Sequence, residues 1–291
     1  METGSVSAAS RLLFISQPSL SRLISDLENE VGFSLFIRER RGMKPTEEAH
    51  LFYREVERSY LGLRELDNAV REIKGFGRSR FSFGAAPGVA LEFVPAVISS
   101  FNRKHGPLQL ATHVSTSDRI LDDIRSGRVS LAIITPNEST GDIDILLERR
   151  YEYVAVMHHQ HPLAGKPGSL DICQTQPGDI IGPPENFLMP RCKEPKIAKM
   201  ISERSKITID VSFTAIAMAR QRLGIALVDP FSAKYFAHDP VLVTRRLKDA
   251  PLHPFTLAQP RRLLASKLQA AFILEIEQKL ARFEQAFSEN D

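Results

Sequence analysis

Apolar positions first settle into helical spacing at Ala8, Ala9, Leu12 and Leu13, with Ser5 or Ser7 placed to cap that short helix. Phe14-Ile15-Ser16 is a β-branched and aromatic break. Ser16 then reads as the N-cap of a second helix, with Pro18 at an early position where a missing N–H costs nothing. Leu20, Leu23, Ile24, Leu27 and Val31 recur at three- and four-residue spacing, which predicts one buried face, and Gly32 ends the helix. The opposite, early face carries Gln17, Ser19, Ser21 and Arg22, side chains able to hydrogen-bond base edges or phosphates. Two short helices joined tightly are either an ordinary helical hairpin or a helix-turn-helix. The next stretch of chain shifts the balance: residues 33–37 alternate like a strand, Arg38-Glu39-Arg40-Arg41-Gly42 makes a basic turn, and Met43-Lys44-Pro45 leads on to Thr46. A strand–basic turn–strand after a recognition helix is a wing, which places Arg40 or Arg41 against phosphate or in the minor groove.

From 46 to 76 there is no proline, and Ala49, Phe52, Val56, Ser59, Leu63, Leu66, Val70 and Ile73 alternate three- and four-residue steps. This is a heptad seam, with Arg54, Glu57, Arg58, Glu65 and Arg71 on the other faces. It reads as a helix packed on its own domain or, with solvated flanks between two domains, as a helix paired with a second copy. Gly75-Phe76-Gly77 breaks it. Beyond that, strand and helix patterns alternate, predicting α/β architecture. Strands are expected at 81–85, 108–114, 131–135, 151–157, 179–181, 207–212, 225–228 and 251–258. Helices are expected at 91–104, 118–126, 196–205, 214–222, 230–236 and 264–287.

A chain of 291 residues suits a small domain joined to a larger one, and 43% apolar content supplies a sizeable core. No apolar run approaches the roughly 20 residues of a membrane span, and the first residues lack a basic segment followed by an apolar stretch, so a cytoplasmic protein is expected. Two cysteines, Cys173 and Cys192, fit a reducing compartment. Charge says little about partners. The net value is +3, and residues 1–80 hold 13 Lys/Arg against 12 Asp/Glu. Only Arg38, Arg40, Arg41 and Lys44 form a basic cluster.

The motifs AASRL, ISQPSLSRLISDLENEVGFSLFIR and RRGMKPTEEA resemble the LysR-type transcriptional regulators, and the resemblance continues more weakly over the rest of the chain. It implies an α/β protein in three parts. These are a winged helix-turn-helix over 1–46, a linker and dimerisation helix over 47–77, and a two-lobed effector domain over 78–291 resembling periplasmic solute-binding proteins. Lobe I takes about 78–155 and 253–291, lobe II about 156–252. By the family's pattern Ser16, Gln17, Pro18, Ser19, Ser21 and Arg22 open the recognition helix, Arg38, Arg40 and Arg41 belong to the wing, and Thr46 begins the linker helix. Phe52, Val56, Leu63, Leu66, Val70 and Ile73 then form the dimer seam. Family members carry a further helix before Gly4-Ser5, bracing the recognition helix, and nothing in this sequence corresponds to it. The resemblance implies double-stranded DNA, a small-molecule effector, RNA polymerase and other copies of the chain, as a homodimer or homotetramer, as partners. No nucleophile–base–acid arrangement, phosphate loop or dinucleotide motif is seen in the sequence, so no cofactor and no enzymatic activity are expected. The alternatives are a truncated ligand-binding dimer that no longer binds DNA, or a solute-binding protein.

Ligands of open parallel sheets sit at the C-terminal strand ends near helix starts. That rule selects Ala86, Pro87 and Gly88, then Ser115, Thr116 and Ser117, then Thr135, then Phe213 and Thr214, and finally Asp229. Hydroxyls and N–H groups at helix starts suit a carboxylate, and Asp229 suits an amine. The hydroxyls also read as plain N-caps. GIALVDPFSA resembles the subgroup that senses lysine-like amino acids and opines, which implies an amino acid or its derivative. His158-His159-x-His161 lies on a family loop, and adjacent histidines at a strand end point to opposite sides, so no metal site is expected.

Overall fold

The computed structural model describes residues 3–39, 42–53, 55, 56, 59, 80–136, 143–261 and 265–289. The chain divides into two compact units, Met1–Asp67 and Asn68–Asp291.

The first unit opens with α1 (Val6–Leu12) and α2 (Gln17–Val31). Their boundaries follow local chemistry: Ser5 Oγ accepts from Ala8 N at 3.1 Å and Ser16 Oγ from Ser19 N at 3.2 Å. Pro18 occupies the first turn of α2, and Gly32 closes the helix at φ 80°, a left-handed conformation that suits glycine. The connecting turn puts Phe14 at φ 55° and leaves it 95% exposed. The apolar stripe of α2 is only partly covered. Leu20 is buried, but Leu23 and Leu27 are 58% and 38% exposed, contrary to a fully buried face. The seven-residue α1 is too short to cover all four turns of α2.

Strands β1 (Phe36–Glu39) and β2 (Gly42–Pro45) pair antiparallel, the strand–turn–strand expected. One α2 side chain seats them: Glu28 Oε1 accepts from the backbone N–H groups of Leu35 at 2.6 Å and Phe36 at 3.1 Å. Glu28→Ala orphans both donors and is expected to cost this unit about 1–2 kcal/mol, measured by urea unfolding, with Glu28→Gln costing less. Thr46 follows β2 and caps the next helix, α3, whose helical residues begin at 47; its Oγ1 accepts from Ala49 N at 3.0 Å and donates to Ser34 O at 2.9 Å. Phe52 of α3 packs edge-on against Phe33. Of the expected seam, Phe52 and Val56 are described and helical, whereas Leu63, Leu66, Val70 and Ile73 lie outside the described residues.

The second unit holds two five-stranded sheets. The first orders β4 (Gln109–Val114), β3 (Arg80–Ala85), β5 (Leu131–Ile134), β12 (Leu252–Pro260) and β6 (Ile143–Glu152). The second orders β11 (Leu242–Arg246), β7 (Val154–His158), β10 (Ile225–Val228), β8 (Ile180–Gly182) and β9 (Ser205–Thr208). Each is mixed rather than purely parallel, since four strands run in one direction and a single strand runs against them: β12 in the first, β7 in the second. The single strand expected over 151–157 is two strands, β6 and β7, lying in different sheets.

Helices follow the strands in order. The short α4 (Pro87–Ala90) and α5 (Phe93–His105) follow β3, and α6 (Ser117–Arg125) follows β4. In the second lobe come α7 (Glu185–Leu188), α8 (Pro195–Arg204), α9 (Ser212–Arg220) and α10 (Pro230–Tyr235), and α11 (Lys267–Glu289) closes the chain. The chain crosses between sheets twice, at Tyr153 and near Pro251, and the crossings bond directly: Tyr153 N donates to Pro251 O at 2.9 Å. Beside them Phe231 of α10 stacks on Phe283 of α11 and meets Phe93, Phe255 and Tyr151 edge-on or tilted, so an aromatic from the second lobe completes the core of the first. Burying such a side chain stabilises the packed state by about 1.5–3 kcal/mol, which pins the lobes at this edge. Among the described residues no helix is long and apolar enough to cross a membrane.

Candidate functional site

In the first unit the start of α2 forms a polar, solvent-facing surface. Ser16, Gln17, Pro18, Ser19 and Arg22 are exposed, and Ser21 is half-buried. Gln17 Oε1 accepts from Ser7 Oγ at 3.2 Å, and the Ser16 and Ser19 hydroxyls meet at 2.8 Å, which holds the first turn in place. Arg22 extends into solvent, 3.9 Å from Asp26 one turn on, a weak exposed pair that leaves its guanidinium accessible. Arg38 lies on β1; Arg40 and Arg41 lie outside the described residues. The Thr46 hydroxyl is committed to capping α3 and to Ser34.

In the second unit the residues selected at strand ends gather at the junction of the lobes. Gly88, in α4 beyond β3, faces Asp229 beyond β10: a Cβ on Gly88 would stand 2.6 Å from Asp229 Oδ2 and 2.8 Å from Oδ1. Only glycine lets this backbone approach a carboxylate of the other lobe so closely. Pro87 opens α4, and Ala86 N donates to Ile133 O, holding that helix start against β5. Ser117 and Thr135 also come together, their hydroxyls 3.0 Å apart and Thr135 N donating to Ser117 Oγ at 2.8 Å. Thr116 precedes α6 without a side-chain cap, and Ser115 N donates to Ala85 O. Phe213 and Thr214 stand in the first turn of α9, Phe213 exposed and Thr214 half-buried.

Asp229 differs from its expected role. It is 2% exposed and caps α10, with Oδ1 accepting from Ser232 N and Oδ2 from Ser232 Oγ, both at 2.8 Å. Tyr153 and His253 are buried nearby with their side chains 3.5 Å apart, and the Asp229 charge acts on both. Burial, reinforced by the Asp229 carboxylate, pushes the Tyr153 phenol well above its ordinary range. Burial, aided by the Arg191 charge and opposed by Asp229, depresses His253 to about 4. His253 is therefore neutral when folded. Between pH 6.5 and about 4 the unfolded chain binds the extra proton, so stability is expected to fall on acidification through that window and His253→Asn to flatten the loss, measured as thermal midpoint against pH.

Three residues of this junction carry no signal in the sequence pattern: Tyr153, His253 and Arg191. Arg191 sits on a 3₁₀ turn, Met189–Arg191, after α7, in a stretch of short elements without a helical or strand period. Cys192 beside it is raised to about 11 by burial, so its thiol stays protonated near neutral pH. The histidine cluster is also arranged differently from expectation. β7 ends at His158, so alternation stops there and the rings of His158 and His159 lie side by side, 4.6 Å apart. Among the described residues no three His, Cys, Asp or Glu side chains group to hold a metal.

A wing beside a capped, polar-faced second helix, followed by a two-sheet domain with a double crossover, defines a helix-turn-helix protein carrying a ligand-binding module. Residues 1–50 match the model of the bacterial regulatory helix-turn-helix proteins of the lysR family, and residues 74–281 match the LysR substrate binding domain. The chain belongs to the LysR family of bacterial regulators. It is similar to the octopine catabolism/uptake operon regulatory protein OccR of Rhizobium meliloti, 30% identical over 241 residues that cover 81% of this chain and 78% of that one. It is also similar to the regulatory protein NocR of Agrobacterium tumefaciens, 27% identical over 291 residues, covering 94% and 92%. Among solved structures, full-length CbnR complexed with its target DNA aligns with a TM-score of 0.66 at 16% identity, covering 96% of this chain and 95% of that one.

Proposed function

We propose that this chain is a sequence-specific transcription regulator that binds double-stranded DNA as a homodimer or homotetramer, engages RNA polymerase and responds to an amino acid or amino-acid derivative. The DNA-binding half rests on the solvent-facing opening of α2, where Gln17, Ser19 and Arg22 project from a helix fixed by caps at both ends. Gln17, Ser19 and Arg22 read bases, while the wing arginines Arg38, Arg40 and Arg41 hold phosphates. The α3 seam, from Phe52 onward, joins two copies.

The effector half is carried by one observation: residues from the ends of β3, β4, β5 and β10 converge at the junction of the lobes, with Gly88 against Asp229 and Ser117 against Thr135. A ligand held there touches both lobes and so biases their relative position, which DNA affinity or bending then reports. Similarity to a regulator named for octopine catabolism supports an amino-acid-like effector. Titration calorimetry of the full chain with L-arginine, L-lysine and octopine tests this. Binding of at least one, lost on Gly88→Val, is expected; no heat from any of them contradicts the assignment.

A further inference from the structure

Arg191 is an arginine of the second lobe, 5% exposed, whose bonds reach the first. Nη1 donates to Phe187 O at 2.7 Å, within its own lobe, and the guanidinium carbon stands over the Phe187 ring, 3.6 Å from its centre. Nη2 reaches across to Thr135 O at 3.1 Å and Pro136 O at 3.4 Å, at the end of β5. Thr135 is the residue already held by Ser117. The Phe231 cluster pins the lobes beside the crossovers, and Arg191 ties them again at the β5 end.

The bridging acceptors are neutral carbonyls. A guanidinium binds a carboxylate through two parallel, charge-assisted bonds, roughly twice as strong as bonds to neutral groups. Asp229, against Gly88, stands at the same junction, and the Arg191 and Asp229 charges both act on Tyr153 and His253. The junction therefore holds a fixed cation and a fixed anion, the complement of a zwitterion.

We infer that Arg191 straps the two lobes together in the ligand-free protein and receives the carboxylate of the effector, which draws Nη2 away from Thr135 and Pro136. This rests on the junction being the effector site. It assigns the ligand's carboxylate to Arg191 rather than to the hydroxyls at the helix starts, and its amine to the Asp229 side. The strap then opens or re-forms according to whether a carboxylate is present.

The test compares acids with their amides on the full chain: L-arginine against L-argininamide, and L-lysine against L-lysinamide, by calorimetry. The acid is expected to bind the unaltered protein more tightly. Arg191→Gln is expected to weaken the acid roughly 30-fold or more while changing the amide by less than about threefold. Arg191→Lys is expected to recover part of the preference, as a charge without the fork. An unchanged acid-to-amide ratio in Arg191→Gln overturns the inference, because a purely structural arginine would weaken both ligands alike. The strap is read separately without ligand, by hydrogen exchange: residues 131–136 and 185–192 are expected to exchange faster in Arg191→Gln. Unchanged exchange overturns the strap even if no amino acid binds, whereas silence from every acid with faster exchange in the variant refutes only the amino-acid reading.

Discussion

Arg22→Ala is expected to weaken operator binding by about 1–3 kcal/mol, or roughly 5- to 150-fold, while leaving the melting of the protein almost unchanged. The physical reason lies in where Arg22 sits. It is exposed on the second turn of α2, and its only described ion pair is a 3.9 Å contact with Asp26. Removing it disturbs no core packing, so lost affinity is lost recognition. The nature of the loss distinguishes two roles. If Arg22 reads a base, the variant relaxes specificity at one position and keeps the salt slope; if it holds a phosphate, binding weakens on all sequences and the slope of log K against log salt drops by about one. An unchanged operator affinity would move the recognition surface away from the start of α2.

Gly88→Ala is expected to destabilise the second unit by about 1–3 kcal/mol and to abolish the response to effector, without altering DNA affinity measured in its absence. The added Cβ would fall 2.6 Å from Asp229 Oδ2, and Asp229 cannot step aside freely because both of its oxygens cap α10 through Ser232. The strain therefore spreads to the start of α10 and to Phe231, the second residue of that helix and the aromatic that joins the lobes. Shortening the partner relieves it: in an Asp229→Ser background, Gly88→Ala is expected to cost markedly less. Additive costs in that double-mutant cycle would show that the two residues are not coupled.

What could be read from the sequence was the chemistry that acts locally. Caps at Ser5, Ser16 and Gly32 and the proline in the first turn of α2 are decided within a few residues, and they fell where expected. β10 and its following helix were also legible, because an unbroken apolar run followed by Asp-Pro leaves little choice. The misses share another origin. β6 and β11 are edge strands carrying Glu148-Arg149-Arg150 and Arg245-Arg246, so their alternation looks like solvated loop. Arg245 in fact turns inward, donating to Leu163 O at 2.7 Å and Gly168 O at 2.5 Å. Arg191 does the same toward β5. A charged residue that bonds backbone carbonyls far along the chain leaves no local trace, since its acceptors have no residue-type signature. The candidate site was legible to the same degree: strand ends led to Gly88, Ser117, Thr135 and Asp229, but not to the arginine, tyrosine and histidine supplied by the crossovers and by the turn after α7.

The central claim, a DNA-binding regulator whose sensor gates that binding, is tested most directly by fluorescence anisotropy of the full chain on DNA from the region upstream of its own gene. The titration is run from about 50 to 200 mM salt, with and without L-arginine, L-lysine and octopine. Tight binding is expected, weakening steeply with salt, exceeding binding to unrelated DNA, and shifting when one of these compounds is added. Affinity no greater than for unrelated DNA, with no change on adding any of them, would contradict it.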